Sequence, residues 1–169
     1  MSNLKNLTDT ERLILANQYE LLSKLAESEY ETEYFLRVSK QLKDGHKWLY
    51  QQIFDSIGEN LDDESANFVV NVLSLHRALL NSYEQLKVKN QLKKADVTFK
   101  GFDGNNEGEL MYFAEALGDA GRFSEVIESG ELNSHFPMTS KYQKMLTKWK
   151  ELEQEYELSE DQILQIIGD

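Results

Sequence analysis

Apolar residues recur at intervals of three and four along most of the chain, the spacing that gathers them on one face of an α-helix. Thr8 and Glu11 precede the first such run as a capping box, in which the hydroxyl accepts from the third helical amide and the carboxylate reaches back to the cap. A first helix is predicted from about 9 to 26, with Leu13, Ile14, Leu21 and Leu25 as its buried stripe and Asn17 in line between them. A second, from about 28 to 43, carries Tyr30, Tyr34, Phe35, Val38 and Leu42 on one side. It stops at Asp44 and Gly45, because glycine enters the left-handed cap conformation without a side-chain clash.

The order Trp48, Leu49, Tyr50, Ile53, Phe54, Ile57 predicts a third helix ending before Gly58, with a strand as the alternative. The longest element begins near Asp62 and Asp63, whose carboxylates suit a helix N-terminus. One stripe on it is Phe68, Val72, Leu75, Leu79, Tyr83 and Leu86, and an adjacent one is Val69, Leu73, His76 and Leu80. So broad an apolar arc belongs to a central helix packed on several sides. From Val97 to Phe102 the pattern turns short and alternating, which reads as an extended connector. A turn-rich loop from Asp103 to Gly108 feeds a helix whose buried face is Leu110, Met111, Phe113, Ala114 and Leu117. Periodicity then fades from Gly118 to Phe136, apart from one helical turn around 123–127. Pro137 is expected to open the next helix, where its missing amide costs nothing, with Tyr142, Met145, Leu146, Trp149 and Leu152 as the stripe. Ser159 and Gln162 form a second capping box before a short last helix. The pattern therefore predicts an all-α, single multihelical domain over 1–169, with about seven helices around a long central one and one short extended connector.

Composition narrows the function classes. A chain of 169 residues can bury a core without disulfides, and the absence of cysteine removes thiolate metal sites, iron–sulfur clusters and cysteine nucleophiles. The 30 acidic against 18 basic side chains argue against direct nucleic-acid binding, which needs clustered cations to displace counterions. Lys87, Lys89, Lys93, Lys94 and Lys100, and again Lys141, Lys144, Lys148 and Lys150, are local exceptions. Both are read as solvated faces, since neither interleaves aromatics as a base-stacking platform would. The longest apolar runs fall far short of the roughly 20 residues that span a bilayer, and Met1 to Thr10 carries no targeting pattern, so a cytoplasmic location away from membranes is expected.

Candidate chemistry is sparse. Asp103, Asn105, Glu107, Gly108 and Glu109 follow the first positions of a calcium-binding EF-hand loop, but position twelve is Ala114 and the needed glutamate arrives one residue late at Glu115. Asp103 or Asn105 is instead expected to cap the following helix. His46, His76 and His135 form no metal-binding pair, and no metal or cofactor is expected. His76 lies on an apolar stripe of the central helix, so it should be buried and must find hydrogen-bond partners, from the protein or from a ligand. Asn17 raises the same question on the first helix, together with its neighbours Gln18 and Tyr19. No phosphate-binding loop, nucleophile elbow, kinase or deaminase signature is present, so the sequence names no catalytic residue.

Three segments stand out together: Arg12-Leu13-Ile14-Leu15-Ala16-Asn17-Gln18-Tyr19, then Phe99-Lys100-Gly101-Phe102-Asp103, and then Pro137-Met138 with Lys141-Tyr142-Gln143-Lys144-Met145-Leu146 and Trp149. In these the chain resembles the YfbU family of prokaryotic proteins, nearly end to end. The resemblance implies a small, mainly helical cytoplasmic domain without an established activity, which in some relatives stands beside a helix-turn-helix domain and is suspected of binding a ligand. It supplies no catalytic residues. The matching positions are Asn17, Gln18, Tyr19, Gly101, Phe102, Asp103 and Tyr142.

Three functions follow as expectations. The first is a small-ligand-sensing or regulatory module, with Asn17, Gln18, Tyr19, His76, Phe102, Asp103 and Tyr142 as ligand-binding candidates. The second is a homo-oligomeric interaction module, a dimer built on Tyr30, Tyr34, Trp48 and Tyr50, because exposed aromatics mark interfaces. The third is an enzyme that uses clustered carboxylates and a divalent metal.

Overall fold

The computed structural model describes residues 6–58, 60–89 and 91–168. Among them the regular elements are all helical, and the one trace of sheet is an isolated parallel bridge between Phe102 and Asn133. The chain separates into two compact units, Met1–Asn60 and Leu61–Asp169.

The first unit is a helical hairpin, α1 (Asp9–Leu25) and α2 (Glu29–Lys43), followed by a short α3 (Lys47–Tyr50) that tightens into a 3₁₀ turn at Gln51–Phe54. The capping box of Thr8 and Glu11 starts α1, and Ser28 caps α2 by accepting from the Glu31 amide. The packed face of α1 differs from the predicted one. Ala16 and Ser23 are buried, against Val38, Ser39 and Leu42 of α2, whereas Leu13, Ile14, Leu21 and Leu25 are exposed. Small side chains explain the choice, since Ala16, Ser23 and Ser39 let two helix backbones approach closely. Glu20 accepts from Ser39 and Lys43, and Arg12 donates to the Leu42 carbonyl at 3.1 Å, tying off the end of α2. Asn17 consequently lies on the outer surface, and the buried amide anticipated there does not exist. Tyr50, anticipated at an interface, is 3% exposed and completes this small core, while Tyr30 and Trp48 are each 76% exposed.

The second unit is organised by α4 (Asp63–Gln85), started by Asp62 accepting from the Ser65 amide. Both predicted stripes are used: Val69, Val72, Leu73, Leu75, His76, Ala78, Leu79 and Leu80 are all buried. Around α4 pack α5 (Lys94–Val97), α6 (Gly108–Asp119), α7 (Ser124–Ser129) and α8 (Thr139–Glu151), and α9 (Glu160–Ile167) lies against α8. Relative to the predicted seven helices, α5 and α7 are the additional short ones. Buried polar groups between elements are mostly matched. Ser82 of α4 donates to the Tyr156 carbonyl and accepts from the Leu158 amide, and the Trp149 indole donates to the Glu155 carbonyl at 2.7 Å.

The predicted connector is not isolated. Glu131 donates to the Phe99 carbonyl, Phe102 to the Leu132 carbonyl and Ser134 to the Phe102 carbonyl, so the segment around 99–102 is paired with the aperiodic stretch after α7. The two backbones lie too close for a side chain. Gly101 has φ +80°, and a Cβ there would collide with the Leu132 carbonyl; one on Gly130 would collide with the Phe99 carbonyl oxygen.

Helix α8 begins at Thr139 rather than at Pro137, and its first turn is capped from a distance. The Glu107 carboxylate accepts from the amides of Met138 and Thr139, from the Thr139 hydroxyl and from the Asp103 amide, at 2.6–3.0 Å. A carboxylate at a helix N-terminus meets both unpaired amides and the positive end of the helix dipole. Burial raises the Glu107 pKa, but these donors outweigh it and hold the group below the ordinary carboxylate range. The residue that resembled a calcium ligand is thus committed to joining α6, α8 and the loop at Asp103. Removing it should cost about 2–3 kcal/mol, from a lost cap plus charged hydrogen bonds. Urea unfolding should therefore give a clearly lower midpoint for Glu107→Ala than for Glu107→Gln, which keeps an acceptor oxygen; equal midpoints for the wild type and Glu107→Ala would refute the cap.

Candidate functional site

Two consequences of the second unit's packing meet at His76. Its place on the inner arc of α4 buries the imidazole to 2% exposure, and the chain leaving α5 presents the Val97 carbonyl 3.0 Å from Nδ1. A carbonyl oxygen can only accept, so Nδ1 carries the proton and the neutral ring offers Nε2 as a lone pair. That lone pair has no partner. Among the described residues only His76 Nε2 and Gln51 Oε1 are buried side-chain polar atoms without one. Leaving such an acceptor empty costs about 1–3 kcal/mol, in a unit that otherwise satisfies its buried polar groups.

The ring is held by aromatic neighbours. Phe99 and Tyr142 meet it edge-on, with centroids 5.5 and 5.4 Å away, and Phe102 packs against both of them. The Tyr142 hydroxyl is fully used, donating to the Gly101 carbonyl and accepting from the Lys100 amide, and burial pushes its pKa upward. Tyr142 is therefore part of the frame that fixes the connector.

His76 lines a cavity of about 220 Å³ between α4, α5, the connector, α8 and α9. Its other polar walls are Asp96, Thr98, Lys100, Lys141 and Tyr142, and its apolar walls are Ala95, Met138, Met145 and Ile167. Among the described residues neither Lys100 nor Lys141 forms an ion pair; Lys100 donates to the Thr98 hydroxyl at 3.2 Å. Asp96 accepts from the Lys93 amide. Burial, with the charges of Lys100 and Lys141 adding to it, lowers the His76 pKa to about 4 despite the bond to Val97. The cavity walls thus carry two cations that form no ion pair among the described residues, one carboxylate, Asp96, and an imidazole whose buried Nε2 has no donor.

Of the residues singled out from sequence, His76 and Tyr142 line this cavity. Phe102 is buried behind Tyr142, and Asp103 is buried in a turn, accepting from Asn105 and Asn106. Asn17, Gln18 and Tyr19 belong to the first unit, with Asn17 and Gln18 exposed and Tyr19 half-buried. Lys100 and Lys141 were not singled out from sequence for a site; Lys141 is exposed, as the solvated reading expects, and Lys100 is half-buried. The available signal was the placement of Lys141 directly before the buried Tyr142 and of Lys100 inside the connector.

A YfbU domain profile matches residues 5–168. The chain belongs to the YfbU family. It is also 34% identical, over 171 aligned positions, to the UPF0304 protein MJECS11 of Methanocaldococcus jannaschii, with 96% of this chain and 99% of the relative covered. The candidate cavity therefore lies within the region that defines the YfbU domain.

The lowered His76 pKa sets a pH dependence for this YfbU domain. The unfolded imidazole binds a proton below its ordinary value of 6.5 and the folded one only below about 4, so stability from this residue is complete above pH 6.5 and is lost as pH falls towards 4. The loss should be of the order of 3 kcal/mol. Urea titrations at pH 7, 5.5 and 4.5 should show a steeper decline for the wild type than for His76→Phe, and parallel declines would contradict a buried neutral imidazole.

Proposed function

We propose that this protein is a small-molecule-binding, regulatory module whose ligand occupies the cavity beside His76. The observation that carries the reading is a cavity lined by His76, whose buried Nε2 has no partner, together with Lys100 and Lys141, neither of which forms an ion pair among the described residues. Binding fits the site better than catalysis. An imidazole that stays neutral down to about pH 4 is a weak base, and its Nδ1 partner is a carbonyl, not the carboxylate that would stabilise an imidazolium. Among the described residues no group of three His, Asp or Glu side chains could hold a metal. No described helix is long and apolar enough to cross a membrane.

The test is native mass spectrometry of gently purified protein, paired with its unfolding temperature before and after addition of a protein-free cell extract. The wild type should carry a small adduct or be stabilised by the extract, and a folded His76→Phe variant should do neither. A bare wild type that the extract does not stabilise overturns the reading.

A second reading, self-association through the first unit, is favoured by α1. Ile14, Leu21 and Leu25 form a stripe on the side of the helix opposite Ala16 and Ser23, and they are 51%, 66% and 76% exposed. A helix apolar on two sides is normally covered on both, and identical stripes on two copies would pair about a two-fold axis. Sedimentation at tens of micromolar should then give a dimer for the wild type and a monomer for the Leu21→Glu, Leu25→Glu double variant, on the usual scale of weak interfaces. A monomeric wild type removes this reading.

A further inference from the structure

The outward side of α1 carries a pattern that fits a second copy of the same helix. Among the described residues, eleven of the fifteen exposed large hydrophobics lie in the first unit, whose buried hydrophobic set is only Ala16, Val38, Leu42 and Tyr50. So small a core leaves the hairpin with apolar surface still to cover, and α1 contributes Leu13, Ile14, Leu21, Leu22 and Leu25 to it.

On this side Glu11, Ile14, Gln18, Leu21 and Leu25 follow one another at spacings of three, four, three and four. That alternation is the seam of a two-helix coiled coil, with Ile14 and Leu21 at d and Glu11, Gln18 and Leu25 at a. Leu15 and Leu22 then flank the seam at e, and Thr10, Asn17 and Lys24 flank it at g. The two flanks decide the direction of pairing. Antiparallel helices set e against e and g against g, so Leu15 and Leu22 meet their own copies and the polar side meets the polar side. Parallel helices would set the leucines against Asn17 and Lys24, and would bring Glu11 against Glu11 inside the seam.

Resting on the self-association reading of α1, we infer that two copies of the chain pair through α1 as an antiparallel two-helix seam whose register is set by Gln18. About a two-fold axis between positions 19 and 20, Ile14 faces Leu25 of the second copy and Gln18 faces Leu21. The two Gln18 side chains stand about 4.5 Å apart along the helix axis. A carboxamide offers both a donor and an acceptor, so each can answer its own copy across the two-fold. Glu11 moves level with Ser28 of the second copy, past the end of its α1, and Lys24 comes to within about one turn of Glu11 in the acidic first turn. Opposed helix dipoles act in the same direction. The 17 residues of α1 make a face about 25 Å long, which places the contact among the small interfaces of under roughly 1,200 Å². The dimer therefore forms at tens of micromolar.

The experiment uses the absence of cysteine, which leaves introduced thiols as the only ones in the chain. Ile14→Cys and Leu25→Cys proteins, each alone and mixed in equal amounts, are oxidised mildly at tens of micromolar and separated without reductant, with sedimentation of the wild type alongside. Both positions are exposed in the single chain, so folding does not depend on them. The mixture should form a disulfide dimer at least about tenfold faster than either protein alone, because two copies of residue 25 lie about 16.5 Å apart along the axis, beyond the roughly 7 Å Cα limit of a disulfide. Gln18→Leu should tighten the dimer at least about fivefold, since a polar side chain in a seam fixes register at a cost in stability. An unchanged or weaker dimer overturns the role of Gln18. Fast crosslinking of Leu25→Cys alone overturns the antiparallel register and leaves self-association through α1 standing. A dimer that neither crosslinks in the mixture nor dissociates in the Leu21→Glu, Leu25→Glu variant overturns both, as does a monomeric wild type, whatever else then covers the stripe.

Discussion

Helix α4 must hide apolar side chains over more than one face, and the second unit is arranged around that requirement. A helix with a single stripe is satisfied by one neighbour; α4 carries two adjacent stripes and takes α5, α6, α7 and α8 as neighbours. Each neighbour brings polar backbone ends into the interior, and these are answered by side chains from other elements: Glu107 for the start of α8, Ser82 for the approach to α9, Trp149 for the loop after α8. Hydrophobic burial locates the parts, and hydrogen bonding fixes their angles.

His76 is the exception within that arrangement. On the same arc as Val72 and Leu79, a residue with the shape of phenylalanine could fill the volume without an unmet Nε2, at the loss of the donor to the Val97 carbonyl. An imidazole in that place is costly in two ways: its proton affinity is suppressed by burial, and one nitrogen lacks a partner. Local costs of this kind in an otherwise consistent core mark places where a structure serves something besides its own stability.

Much of the fold is legible in the chain because capping and periodicity are local. Thr8 with Glu11, Asp62, and Ser159 with Gln162 start helices where the sequence says they should, and the two stripes of α4 are both buried. The packed side of α1 is illegible for the opposite reason: it depends on how closely α2 can approach, so small residues win over leucines that look more hydrophobic. The cap of α8 is equally hidden, since Glu107 stands 31 residues before Met138. At the candidate site, His76 could be picked out as a polar residue on an apolar stripe. For Lys100 and Lys141 the sequence offers only their neighbours, the connector and Tyr142, and the folded connector is what sets both against one space.

The crossing of the connector with the chain after α7 gives the second unit a property that its irregular sequence conceals. Gly101 and Gly130 allow two stretches of backbone to touch without intervening side chains, and the hydrogen bonds at Phe99, Phe102 and Leu132 lock them together. This splice divides the unit's variable loops into those it anchors and those it frees. Relatives of the protein could lengthen or shorten the chain within the turn after Asp103 or the bend before α7 with little disturbance, whereas a single inserted residue at the crossing would shift the register of Phe102 and, through Tyr142, the floor of the cavity. The least regular part of the chain is thus a fixed reference point for the fold.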